Sequence, residues 1–368
     1  MLGLAFKDAN IVRFALLSDP GLLRRLADIT ADGFSSEGRP LNYHFAAMEE
    51  YLSTIGFISR SGMDVEINKK NLAAAVRMPF QRAALNGIVP LTGDSGRGSS
   101  IGAIKYADEL YEFMPEAWLK QAGMGTTLSF KIKDEKPENG AWKSLLETKP
   151  VLFKDAGFAI LRTGDTIEDQ IMVTLDYGKN VFHAHLDRNQ MTLMAFGKIF
   201  TQGPGSLYNV GDGGIEKSND PKLRSFCSNG SLSQNVILID QLDQDAVIGQ
   251  LLAWSDKTDF QLAASKAENV KPGVNHTRLI LLTKGVIVML DKIESDSKHD
   301  YDFVYHNLGS MALGNNWVAE PVDSIGNTAN FDNIIDLKHL KGVGELRLTW
   351  DLTDNIPKRQ KEENKKNN

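Results

Sequence analysis

The sequence predicts a multidomain chain in which a helical half precedes a half built from strands. Three observations carry this prediction. Apolar residues recur at helical spacing as far as about residue 125, a polar tract follows, and beyond residue 150 the apolar period shortens to two. In the first half, Ile11, Phe14 and Ala15, then Leu22, Leu23 and Leu26, then Phe45, Met48, Leu52 and Ile55, fall at helical spacing. Asp19-Pro20-Gly21, the segment 33–40, Ser61-Gly62 and the segment 93–100 divide this half into about five or six helices. The tract 131–150, KIKDEKPENGAWKSLLETKP, is polar enough to be the junction. Beyond it the runs 158–163, 171–176, 235–240, 279–282, 286–290, 301–306 and 346–350 read as strands separated by Gly, Asn and Asp turns. Helices first and strands second is not the alternation that builds a doubly wound sheet. Residues 356–368 form a charge run expected to be disordered. The predicted units are therefore 1–130 helical, 131–150 junction, 151–355 strands and 356–368 tail.

With 368 residues, 42% hydrophobic and 24% charged, the composition is globular, which excludes a disordered, collagen-like or coiled-coil chain. Forty-one Lys+Arg against 47 Asp+Glu leave a net charge of -6, so no global positive field recruits nucleic acid or an anionic membrane. An acidic ligand would need a local patch. The single cysteine, Cys227, has no partner for an intramolecular disulfide. The most apolar segment, 278–290, is broken by Lys284 and Gly285 and falls short of the roughly 20 residues of a membrane span. Residues 1–14 show no signal peptide and read as the middle of a helix, as in a chain whose start is missing.

The densest polar cluster is 182–190, FHAHLDRNQ. If the chain is extended there, His183, His185 and Asp187 share one face and Phe182, Ala184 and Leu186 the other. His-x-His suits a metal site, or one catalytic and one ligand histidine; the alternative is a solvated surface strand. Asn42, Tyr43 and His44 follow a Gly/Pro loop and open an amphipathic helix, where free N–H groups and the dipole favour an anion such as a carboxylate. The alternative is that Asn42 caps the helix and His44 is half-buried. The 93–98 loop, GDSGRG, lacks the Gly-Lys-Ser/Thr ending of a phosphate-binding loop; it is either a loop whose backbone approaches a ligand or, the reading preferred, a plain helix connection. Tyr208, in the turn-rich 203–211 segment, is either packing or a site hydroxyl.

Taken in order, EGRPLNYH at 37–44, FAILRT at 158–163, DYG at 176–178, HAHLD at 183–187, GPGSLY at 203–208 and SQNVILID at 233–240 resemble the heparinase II/III-like polysaccharide lyases, which include several alginate lyases. The resemblance spans about residues 30–310. It implies an incomplete (α/α) toroid of helices packed on an antiparallel β-sandwich, with the active site in the cleft between them. About 130 helical residues are too few for a full toroid, so the chain reads as a fragment.

Lyases of this kind act on uronic-acid polysaccharides by β-elimination, leaving unsaturated uronate ends. The proton beside the uronate carboxylate is weakly acidic until the carboxylate charge is neutralised, and preorganised donors supply that neutralisation. By resemblance Asn42 and His44 are those donors, and His183 shares general base and acid roles with a tyrosine, Tyr106 or Tyr208. Tyr43, Arg39, Arg97 and Arg188 are the candidate substrate-binding residues, arginine forks suiting carboxylate and sulfate. His185 is the candidate metal ligand, but Gln202 and Gln234 stand where the family has better ligands. A degenerate zinc or calcium site, with no cofactor required, is the expectation. Trp254 and Trp118 either stack on sugars or pack in cores. The resemblance further implies an anionic polysaccharide partner, a uronan or glycosaminoglycan, and a periplasmic or extracellular location. Two other readings stand beside it: a glycan-binding protein with impaired catalysis, and a glycoside hydrolase using Glu37 and Asp187.

Overall fold

The computed structural model describes residues 8–37, 39–63, 65–95, 100–104, 106–123, 139–178, 183–205, 230–313, 316–321, 338–342 and 348–351. Six helices come first among them: α1 Ala9–Leu17, α2 Leu22–Ala27, α3 Leu41–Arg60, α4 Lys69–Arg82, α5 Ala107–Phe113 and α6 Ala117–Ala122. Asp8 caps α1 through its side chain, and Asn68 caps α4 in the same way. The helical core forms where Leu41, Met48, Leu52 and Ile55 of α3 meet Leu72, Ala75, Val76 and Phe80 of α4. A 3-10 turn at Ala141–Leu145 adds Leu145 to that core, so the end of the polar 131–150 tract folds onto the helices instead of hanging as a linker. No described helix is long and apolar enough to cross a membrane.

Strands β1 Val151–Phe153, β2 Phe158–Thr163, β3 Ile171–Asp176, β4 Gln190–Ala195 and β5 Lys198–Thr201 form one antiparallel sheet in chain order. After β6 Ile237–Ile239 come β7 Gly249–Asp256, β8 Gln261–Lys271, β9 Val274–Thr283 and β10 Val286–Ser295, a second antiparallel sheet. β11 Tyr301–Phe303 pairs with β6. β12 Ser310–Leu313 pairs with β15 Leu348–Asp351, and β13 Trp317–Pro321 with β14 Lys338–Gly342. β7 and β8 fall in runs too rich in Gln, Ser, Lys and Asp to read as strands from sequence. Residues 356–368 lie outside the described residues.

The first sheet is covered on both faces. Ala159, Leu161, Val173, Leu175 and Met191 pack against Ala263, Ile280 and Leu282 of the second sheet. Phe158, Ile160, Met172 and Met194 pack against Phe34, Met78 and Ala84 of the helical half. This is why β2 and β3 read as continuous apolar runs and not as alternating ones. Buried Arg162 on the helix-facing side reinforces the seam, donating to the carbonyls of Gln81 (2.5 Å), Ala83 (3.2 Å) and Lys149 (3.1 Å). The structure thus shows an antiparallel β-rich fold with helices packed on one face of the first sheet. It does not show the expected toroid.

Met78, 0% exposed, sits in the seam shared by both halves. Met78→Ala should destabilise the chain by about 2–5 kcal/mol. Helical circular dichroism and tryptophan fluorescence should shift to the same lower urea midpoint; separate midpoints would mean that the halves fold independently.

Candidate active site

The site lies where β3 ends and β4 begins, on the helix-facing side of the first sheet. Asp176 and Gln190 are direct cross-strand partners there. Asp176 is buried between two guanidinium groups: Arg39 pairs with it from the loop before α3, and Arg188 Nη1 lies 3.2 Å away. Arg188 also donates to Asp187 Oδ1 (2.8 Å), Gly178 O (2.5 Å) and His185 O (3.3 Å). These bonds hold 183–189 as a loop, with His183 at φ 62° and Asn189 at φ 63°. The expected strand, with His183, His185 and Asp187 on one face, is therefore not what forms; β4 starts only at Gln190. Asn189 is anchored from the second sheet, its Oδ1 accepting from Ser265 Oγ (2.7 Å) and its carbonyl from Arg278 Nη1 (2.7 Å).

Asp94 crosses from the helical half to this loop. Its backbone N donates to His183 O at 2.9 Å. Gly93 has φ 51°, and a Cβ there would stand 2.1 Å from that carbonyl oxygen, so only glycine allows the approach. The Asp94 carboxylate then meets both histidines, Oδ1 at 3.1 Å from His185 Nε2 and Oδ2 at 3.2 Å from His183 Nδ1. Gln234 Nε2 lies 2.8 Å from His185 Nδ1. An amide nitrogen only donates, so His185 Nδ1 accepts and its proton sits on Nε2, facing Asp94. A carboxylate only accepts, so His183 donates its Nδ1–H to Asp94 and turns Nε2 away from that acid. That nitrogen is 3.9 Å from Glu37 Oε2, on a side chain 31% exposed. Tyr43 stacks on the His183 ring, with centroids 3.7 Å apart and planes within 11°.

Burial alone would raise the Asp94 pKa, but hydrogen bonds and charge from His185 and His183 outweigh it and hold the carboxyl below its ordinary range. Tyr43 moves the other way. Burial, then the negative charges of Asp94 and Glu37, raise its pKa and keep the phenol protonated.

Tyr43, His183 and His185 are therefore brought together with Glu37 beside them, and the structure adds Asp94. Asn42 sits two residues past the N-cap Pro40, so it does not cap α3; its Oδ1 is buried without a partner. The other predicted residues behave differently. His44 is 1% exposed and turned into the helical half, its Nε2 donating to Ala75 O at 2.9 Å, which corrects its expected role as a donor to a ligand. Arg39 and Arg188, expected to grip acidic groups of a substrate, are buried and bound to internal acids and carbonyls. Tyr106 donates its hydroxyl to Glu49 on α3, away from the histidine pair. Arg97 and Tyr208 lie outside the described residues. Asp187, proposed with Glu37 as a hydrolase pair, is 3% exposed and neutralised by Arg188, so it presents no free carboxylate.

Zinc does not fit the donors around His185. Both its ring nitrogens are engaged, by Asp94 and Gln234. The neighbours are amides: the Gln190 nitrogen donates to Gln234 Oε1 (2.5 Å) and Asp187 Oδ2 (2.7 Å), and its oxygen accepts from Gly203 N (3.2 Å). Gln202 Oε1 is buried and, among the described residues, has no hydrogen-bond partner. Among the described residues, no three His, Cys, Asp or Glu converge as ligands.

Asp94 is the residue that sequence reading missed. Its available signal was a carboxylate directly after a glycine that can take positive φ.

No family model and no curated protein matches the chain by sequence. By fold it is similar to the heparinase III BT4657 gene product, with 15% identity over 82% of this chain and 46% of that one, at a TM-score of 0.59. A second heparinase III crystal structure has 14% identity over 90% and 54%, also at 0.59. Heparan sulfate lyase HepC from Pedobacter heparinus has 17% identity over 88% and 49%, at 0.62. The chain spans about half the length of these proteins. The likeness shows a heparinase-like fold.

Burial lowers the His44 pKa from 6.5 to about 4. The unfolded chain takes up that proton first, so the His44 contribution is complete above pH 6.5 and is lost as pH falls toward 4. Folding stability should drop by about 3 kcal/mol over that window. His44→Gln, which keeps a donor for Ala75 O, should flatten this part of the urea-stability profile; an unchanged slope would exclude His44 as its source.

Proposed function

We propose that the chain is a polysaccharide lyase that cleaves a uronate-containing polyanion of the glycosaminoglycan class by β-elimination. The observation that carries the reading is the Asp94–His183 pair, with a free imidazole nitrogen beside a tyrosine and a helix terminus. His183 Nε2 is the base that removes the proton from the carbon next to the uronate carboxylate. Asp94 is a positioning residue: it fixes the tautomer and stabilises the imidazolium that forms. As the proton leaves, charge builds on the carboxylate, and the Asn42 amide with the unpaired N–H groups at the start of α3 faces that charge. Tyr43, its pKa raised and its ring against His183, hands its proton to the departing glycosidic oxygen. His183 and Tyr43 thus divide the base and acid work, in place of Tyr106. The similarity in fold to heparan sulfate lyase supports the substrate class. A polymeric substrate places the enzyme outside the cytoplasmic membrane, in the periplasm or beyond. No step is routed through a metal.

One observation favours a second reading, a glycan-binding protein with impaired turnover. Both Arg39 and Arg188 are engaged internally, which leaves neutralisation of the carboxylate to Asn42 and the helix terminus.

Incubating the protein with heparan-type chains, alginate and polygalacturonate should yield an ultraviolet-absorbing unsaturated uronate from at least one. Binding without product would select the second reading. His183→Ala should abolish the product while the fold persists. Asp94→Asn and Tyr43→Phe should each lower kcat by about 10²–10⁴-fold, the range of general acid–base catalysis, with KM little changed. In Tyr43→Phe the basic limb of the pH–rate profile should move; retention of that limb would remove Tyr43 as the acid.

A further inference from the structure

A second feature of the helical half is unused by this chemistry. A cleft of about 460 Å³ opens between α4 and the α5–α6 pair, lined by Lys69, Lys70, Arg77, Met114, Glu116 and Trp118. Lys69, Lys70, Ala73, Ala74 and Arg77 follow one another along a single stripe of α4, the two alanines leaving an open floor between cations at each end. Among the described residues none of the three cations makes an ion pair. Lys69 lies 4.4 Å from the Phe113 ring centroid, and the Arg77 guanidinium 5.7 Å from that of Trp118. The one acid of the lining, Glu116, accepts from Trp118 Nε1 at 2.5 Å, which orients the indole.

Three unpaired cations in a chain of net charge -6 need a physical account. Lys69 and Lys70 do not serve their helix, because they occupy its N-terminal turn, where the dipole disfavours positive charge. Lys70 and Arg77 are separated by about 10 Å of helical rise, roughly the span of two sugar rings. Aromatic and aliphatic surface between two cationic ends suits a ligand that alternates apolar ring faces with anionic substituents.

We propose that this cleft is a second binding site for a carboxylated or sulfated oligosaccharide, separate from the His183 site, holding the chain through Lys69, Lys70 and Arg77 with Trp118 as its ring platform. The ligand class rests on the lyase reading; the site itself rests on the cleft and its cations.

The test uses the His183→Ala protein, which leaves the polymer intact. Heparin and polygalacturonate are titrated into it by calorimetry, with tryptophan fluorescence as a second readout. Lys69→Gln/Lys70→Gln/Arg77→Gln in the same background should weaken binding of at least one polyanion tenfold or more, and Trp118→Phe should remove the fluorescence change. If circular dichroism shows the triple variant unfolded, Lys70→Gln alone should weaken binding at least threefold. Undetectable binding of both polyanions, or affinity unchanged by the substitutions, overturns the proposal. So does a single-stranded oligonucleotide that binds as tightly and is lost in the same variants, which would reassign the cleft to nucleic acid. The two readings fail separately. Unsaturated product from the wild type with cleft-independent binding would leave the lyase standing, whereas cleft-dependent binding without product would leave the cleft.

Discussion

The carboxylate of Asp176, buried between Arg39 and Arg188, is the interaction on which the site depends. The first sheet is covered by helices on one side and by a second sheet on the other, so a charge at its end has no water to face. Two acids, Asp176 and Asp187, are set against two guanidinium groups, so the buried cluster is neutral. Removing one member of such a cluster typically costs about 3–5 kcal/mol, because the others keep their desolvation penalty without their partner. The arginines come from different places, Arg39 from the approach to α3 and Arg188 from the loop before β4. One carboxylate therefore joins the helical wall to the histidine-bearing loop.

The loop geometry in turn decides what the histidines do. An extended chain would have presented His183, His185 and Asp187 side by side. The turn instead aims His183 and His185 at a single carboxylate from the opposite wall and directs Asp187 inward to Arg188. Gln234, donating to His185 Nδ1 while Asp94 faces its Nε2, leaves both ring nitrogens of that imidazole bonded inside the protein. His183 meets Asp94 through Nδ1, and its Nε2 lies 3.9 Å from Glu37 Oε2. The two imidazoles stand two residues apart, with different roles set by how many partners each has.

Glutamines 190 and 234 give the surroundings of His185 their character. The two N–H groups of one amide can serve two acceptors, so Gln190 links Asp187 to Gln234 without adding charge. The same property makes amides weak competitors for a divalent transition metal. In this chain His185 is held by a hydrogen-bonded network of Asp94 and Gln234, at the position where the resemblance implies a degenerate metal site.

The order of the elements was legible in the sequence, because periodicity is a local property: helical spacing in the first third and alternation or continuous apolar runs after residue 150 each report on a few neighbouring side chains. The polar cluster at His183 and His185 and the start of α3 at Asn42 and Tyr43 were legible for the same reason. Partners were not. Asp94 and His183 are 89 residues apart, and nothing local marks which loop carboxylate will reach which imidazole. Tyr43 and His44 look equivalent along the chain. A single helical step of about 100° sends the first to His183 and the second into the core, and only packing of α3 on α4 chooses between them. Arg39 and Arg188 read as surface arms for a ligand because burial cannot be seen in a single charged residue. The sequence by itself determined the kinds of segment and the chemistry available; the tertiary structure decided which groups meet and which stay exposed, since hydrogen-bond partners and solvent access arise only when distant segments come together.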